Sequence, residues 1–109
     1  MYILLILFVI SGLVVGGLSV PLILGKIPPN GLYGFRVKKT MENPDIWYAI
    51  NKYSGKWLLV THLALIVAAI GIYFKPYITL DGYSLTMLGV WAILFGLVIL
   101  ASIRYLKTL

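Results

Sequence analysis

Three long apolar runs, separated by two polar stretches of unequal length, set the pattern of this chain. Tyr2–Leu24 carries no charged side chain, Trp57–Phe74 is interrupted only by His62, and Leu85–Ile103 is again uncharged. Each approaches the ~20 residues that an α-helix needs to cross a ~30 Å hydrocarbon core. The first run lacks a basic n-region, exceeds the length of a secretory h-region and has no small-x-small cleavage site before Lys26, so it reads as a permanent span. The expected fold is all-α and integral to the membrane. It is a single domain over residues 1–109, with spans at about 2–24, 57–74 and 85–103 and a motif-bearing loop and helix at 26–56.

The long polar stretch has its own local signals. Pro28-Pro29 forces an extended start, Asn30-Gly31 suits a tight turn, and Gly34 leaves the backbone free to bend or to approach another group closely. Asn43-Pro44-Asp45 is a helix start: an N-cap residue, a proline at the first helical position, and an acid at the positive end of the helix dipole. The helix from Pro44 either runs into the second span or bends near Ser54-Gly55. Its first half, with Ile46, Trp47, Ile50, Tyr53 and Trp57, reads as interfacial. At helical spacing Trp47, Asn51, Gly55, Leu58, His62 and Ala69 fall on one stripe, and its polar members should turn toward the other helices rather than lipid. Close-packing pairs occur at Gly12/Gly16, Ala64/Ala68 and Gly89/Gly96, serving contacts within the monomer or a seam between copies in a homo-oligomer.

Composition agrees with a membrane protein: 61% of the residues are hydrophobic and 11% charged, against about 25% charged in soluble domains. The formal charge of +6 is unevenly placed. Lys26, Arg36, Lys38, Lys39, Lys52 and Lys56 lie between the first two spans, and Arg104 and Lys107 follow the third. Only Lys75 lies in the short second loop. Basic loops stay cytoplasmic, which puts the N-terminus outside, the long loop inside, the short loop outside and the C-terminus inside. Trp57 and Tyr105 are expected at the inner interface, and Tyr2, Tyr73, Phe74, Tyr77 and Tyr83 at the outer one. Beside a membrane the charge reads as topology and attraction to anionic lipid, with no direct nucleic-acid partner.

The side chains available for chemistry are few. No cysteine is present, which excludes disulfides and thiolate sites. Glu42, Asp45 and Asp81 all lie in loops, so no carboxylate carrier sits within a span, and one histidine with scattered acids makes a poor metal site. Ser54 and Thr61 lie near His62 in sequence without an acid to orient a base. A non-enzymatic protein without a cofactor is expected. Two readings of His62 stay open: a proton relay or ligand contact, and a buried imidazole bonded to a backbone carbonyl or to Asn51. For Arg36, among Tyr33, Gly34 and Phe35, the candidate partners are Asp45, Glu42, a lipid phosphate or a helix carboxyl end. Anchoring of the loop itself is the other reading.

Pro28-Pro29-Asn30, then Tyr33-Gly34-Phe35-Arg36, then Thr40, Asn43, Trp47, Asn51 and Gly55, together resemble the signature of the SdpI family of small bacterial membrane proteins. The resemblance runs from about the end of the first span through the third. It implies a role in immunity to a secreted antimicrobial peptide toxin, linked in one branch to holding a transcriptional repressor at the membrane. This chain reads as a single three-span unit, shorter than the longer immunity proteins. The expected binding face comprises Pro28, Asn30, Tyr33, Gly34, Arg36, Thr40, Trp47, Asn51, Gly55 and His62. The alternative from another class is a small permease or lipid-handling protein, which requires a polar path from Asn51 past His62. A membrane enzyme using Arg36 as an anion clamp is a third.

Overall fold

The computed structural model describes all residues, Met1–Leu109, as four helices and no strand. These are α1 (Tyr2–Ile23), α2 (Lys38–Glu42), α3 (Pro44–Tyr73) and α4 (Leu80–Leu106). α1, α3 and α4 are long and apolar enough to cross a membrane.

Local chemistry sets the helix ends. α1 stops two residues after Pro21 in a Schellman turn: the Lys26 N–H donates to the Pro21 carbonyl (3.0 Å), the Gly25 N–H to the Leu22 carbonyl (3.2 Å), and Gly25 takes a left-handed φ of 69°. α3 starts as its sequence indicates, with Asn43 Oδ1 accepting from the Asp45 N–H at 3.0 Å and Pro44 opening the first turn. Thr79 caps α4 by accepting from the Gly82 N–H at 3.0 Å. α3 continues through Ser54-Gly55 without a break. The segment at 44–56 is therefore the first half of one 30-residue helix. Such a helix is about 45 Å long, so roughly 15 Å of it extends beyond a ~30 Å hydrocarbon core.

α3 is the central helix, with α1 and α4 both packed on it. Of its expected stripe, Trp47, Asn51, Gly55, His62 and Ala69 are buried and Leu58 is half-buried, and Ile50, Ser54, Thr61 and Leu65 join the buried face. In lipid, helices associate through close packing more than through hydrophobicity, and small residues permit that closeness. Gly12 and Gly16 turn toward α3: a Cβ on Gly12 would lie 2.6 Å from Ile66 Cγ1, and one on Gly16 would lie 3.6 Å from Leu59 Cδ1. Gly55 answers from α3, where a Cβ would meet Ile23 Cγ1 at 3.0 Å and the Ser19 carbonyl oxygen at 3.2 Å. These glycines serve contacts within the monomer. Around Gly89 and Gly96 a Cβ would meet nothing within 4 Å. Gly55→Leu is accordingly expected to destabilise the protein by about 1–3 kcal/mol through overpacking. Gly89→Ala should be neutral or gain up to about 1 kcal/mol. Thermal unfolding in detergent micelles compares the two, and equal behaviour would remove Gly55 as a contact point.

The end of the bundle away from the long loop has an apolar centre of Leu65, Ala69, Tyr83 and Met87, with Phe8 against it. Tyr83 departs from its expected place among the interfacial aromatics. It is fully buried, packs edge-on to Phe8 and Tyr73, and donates its hydroxyl to the Ala69 carbonyl at 2.9 Å. A buried tyrosine needs such a partner, and position 83 lies on the face of α4 turned toward α3 rather than on its outer surface.

With three alternating long helices, the end of α1, the start of α3 and the end of α4 share one side of the bundle. Eight of the nine basic residues lie toward that side, leaving Lys75 alone at the other.

Candidate functional site

The segment between α1 and α3 is a folded cap on the basic end of the bundle. It begins with Asn30, whose Oδ1 accepts from the Leu32 and Tyr33 N–H groups at 2.8 Å each, while Nδ2 donates to the Pro28 carbonyl at 2.8 Å. This turn, closed by its own side chain, is the use for which asparagine is favoured. The Tyr33 hydroxyl then donates to the Leu18 carbonyl of α1 at 2.6 Å. Gly34 follows with a φ of 121°.

Two side chains of α3 hold this turn. Trp47 is completely buried, and its Nε1–H donates to the Ile27 carbonyl at 2.8 Å. Asn51, one helical turn further on, accepts from the Phe35 N–H at 2.6 Å and donates to the Trp47 carbonyl at 2.9 Å. The backbone at Gly34 lies directly on these two side chains: a Cβ there would be 2.7 Å from Trp47 Cη2 and 3.0 Å from Asn51 Oδ1. Beyond Phe35, the buried Thr40 hydroxyl donates to the Val37 carbonyl and accepts from the Val37 N–H, each at 2.9 Å, and so starts the short helix α2. Lys39 Nζ ties α2 to α4 by donating to the Leu106 carbonyl at 2.9 Å, where the negative end of the helix dipole favours a cation.

The structure thus brings Asn30, Tyr33, Gly34, Trp47 and Asn51 into one network, with Pro28 supplying a carbonyl and Thr40 closing the next turn. Gly55 lies below it, at the crossing of α1 and α3. Arg36 is exposed and donates to the Gly31 carbonyl, the loop-anchoring arrangement; neither Glu42 nor Asp45 pairs with it. The single ion pair is Lys38–Glu42 at 3.9 Å, on the surface. His62 stands apart. It is eleven residues from Asn51, about 16 Å along the helix, and its Nδ1 lies 2.9 Å from the Leu58 carbonyl. That is the buried, backbone-bonded arrangement.

Beneath the loop lies a cavity of about 270 Å³ between α1, α3 and α4. Asn51, Tyr33 and Gly34 line its top, and Ser19, Ser54 and Ser102 contribute one hydroxyl from each long helix. Sequence reasoning weighs Ser54 only as a neighbour of His62 and does not single out Ser19 or Ser102. Their signal was a small polar residue within an otherwise apolar run.

Comparison with known proteins follows the same boundaries. The model of the SdpI/YfhL protein family matches residues 26–106, from the end of α1 to the last residue of α4. The chain belongs to the SdpI/YfhL family. A curated relative, the uncharacterized protein YfhL of Bacillus subtilis (strain 168), is 30% identical over 67 residues. The match covers 57% of this chain and 59% of that protein, so the chain aligns with about three-fifths of its relative's length. No solved structure matches the chain.

Proposed function

We propose that this SdpI/YfhL-family protein is a non-enzymatic partner-binding protein of the bacterial inner membrane, of the toxin-immunity type expected from the resemblance. The observation that carries this reading is the cap itself. The cap is fixed to α1, α3 and α4 through Tyr33, Trp47, Asn51 and Lys39, yet it leaves Leu32 90% exposed, with Arg36 and Lys38 exposed in the same segment. A rigid segment with exposed apolar and basic side chains is pre-organised for a peptide, lipid or protein partner and loses little entropy on binding. The gathering of basic residues at the cap end supports a cytoplasmic cap and C-terminus, with the N-terminus outside. The permease alternative requires a polar path from Asn51 past His62. The cavity is lined by Asn51 but not by His62, which favours the binding reading.

Leu32→Asp with Lys38→Glu tests this without removing a bond that holds the loop. Leu32 contributes only its backbone there, and an exposed pair such as Lys38–Glu42 contributes at most about 1 kcal/mol. Cells expressing the chain should survive the host's secreted killing peptide, and the double variant should lose protection at equal membrane abundance. Survival that does not depend on expression would sink the immunity role. For the repressor version, the double variant should release a fluorescently tagged repressor from the membrane; retention would sink that version.

A further inference from the structure

We propose that the cavity beneath the motif loop binds an uncharged amphiphile, an aliphatic body carrying one hydroxyl or carbonyl group that hydrogen-bonds to Ser102. The decisive observation is the state of that serine. Serines in membrane helices ordinarily bond back to a carbonyl one turn earlier. Ser11 does so to Phe8 at 3.1 Å, Ser19 to Gly16 at 2.6 Å and Ser84 to Leu80 at 2.8 Å. Ser102 does not. Its Oγ is fully buried, has no partner, and belongs to a residue that lines the cavity. A buried hydroxyl left unpaired is unfavourable, and a ligand atom in the cavity would relieve it.

The other polar groups at the top of the cavity are already engaged. Asn51 uses its oxygen on Phe35 and its nitrogen on Trp47, and the Tyr33 hydroxyl donates to Leu18. Ser54 also lines the cavity without a side-chain hydrogen bond, but only Ser102 has a fully buried oxygen with no partner, and it is the group that a ligand would relieve most. Charge is excluded by the lining, which contains no Lys, Arg, His, Asp or Glu. An ionised headgroup placed there would lose its hydration without gaining a counter-charge. The wall is otherwise mainly apolar, nine of its fourteen residues being hydrophobic.

Size and access define the body of the ligand. A volume of about 270 Å³ accommodates about nine groups the size of a water molecule at ~30 Å³ each. That suits the polar end and first few carbons of one chain, with the remainder lying outside. The opening is lateral: Leu18 of α1 and Ile99 of α4 both line the cavity and are exposed on the flanks of the bundle. The ligand would therefore enter from the lipid phase between α1 and α4, under the roof formed by Tyr33 to Phe35. This site does not depend on the immunity reading, and the two can fail separately.

The test uses the full chain in lipid nanodiscs and three diazirine probes of one chain length: an alcohol, its alkane and its carboxylate. Crosslinks are mapped by mass spectrometry. The alcohol should saturate labelling around Leu18 and Ile99, with the alkane and the carboxylate both weaker. Ser102→Ala should weaken the alcohol by roughly threefold to tenfold, the effect of one hydrogen bond, and leave the alkane unchanged. Its unfolding temperature without ligand should be equal or higher, because the unpaired hydroxyl is gone. Val98→Trp, which fills the cavity from α4, should abolish labelling. Should that variant fail to fold, the smaller Ser102→Ala change decides alone. Equal labelling by the three probes, an unchanged alcohol affinity in Ser102→Ala, no saturable labelling (a cavity holding water only), or exclusion of the probe by a second copy would each overturn the proposal.

Discussion

Trp47→Ala is expected to release the loop from the bundle at a loss of about 3–5 kcal/mol, the range for removing a large buried aromatic side chain. Trp47 lies in the first turn of α3, on the side of the bundle that carries eight of the nine basic residues, and it is fully buried. The same change removes the donor to the Ile27 carbonyl and the surface on which Gly34 rests. Trypsin gives a direct readout, because Arg36, Lys38 and Lys39 are exposed on the loop and α2. A loss of 3 kcal/mol raises the population of the open loop by about a hundredfold, at 1.4 kcal/mol per tenfold. Cleavage between Arg36 and Lys39 should accelerate accordingly. Trp47→Phe, which keeps an aromatic ring but loses Nε1–H, should fall between the two. Cleavage of Trp47→Ala at the native rate would mean that the cap is held by something other than this side chain.

The parts of this fold that are legible in the sequence are those set by local rules. Apolar run length gave the three long helices, and Asn43-Pro44-Asp45 gave the start of α3 to the residue. Helical periodicity also assigned the buried stripe of α3. Other features depend on partners remote in sequence. Nothing local distinguishes Tyr83 from an interfacial tyrosine; its place follows from the Ala69 carbonyl and the ring of Phe8. The unbroken passage of α3 through Ser54-Gly55 depends on α1, whose backbone at Ser19 lies against Gly55. The end of α1, by contrast, is local, with Gly25 in a left-handed φ closing the Schellman turn.

The candidate site divides in the same way. The motif residues Asn30, Tyr33, Gly34, Trp47 and Asn51 do assemble, but largely onto the loop's own backbone. Their bonds to Leu18, Ile27 and Phe35 span fifteen to twenty residues. A motif of this kind preserves a shape, and its members are engaged in holding it. On the proposed function, recognition falls to groups outside the motif: the exposed Leu32 and Lys38 of the cap, and the unpaired Ser102 of the cavity. Arg36 illustrates the difficulty. A bidentate arginine and a loop-anchoring arginine have the same neighbours in sequence, and only the position of the Gly31 carbonyl separates them.

Gly34→Ala should disrupt the cap by two independent effects that can be separated experimentally. The first is conformational: at φ 121° a side chain is strained whatever space surrounds it, at about 1–3 kcal/mol. The second is steric, because the new methyl group would lie 2.7 Å from Cη2 and 2.9 Å from Cζ2 of the Trp47 indole. That ring has little freedom to retreat, being fully buried with its nitrogen bonded to Ile27. Phenylalanine at position 47 lacks the outer indole carbons and should remove the collision while leaving the φ strain in place. In a double-mutant cycle, Gly34→Ala should then be less damaging in the Trp47→Phe background, by an interaction term within the roughly 0.5–3 kcal/mol measured for residues in contact. Gly31→Ala, where a Cβ meets nothing within 4 Å, provides the reference for a tolerated change in the same loop. Additivity of the two substitutions would place the whole penalty in the backbone and remove the contact with Trp47 as a reason for glycine at position 34.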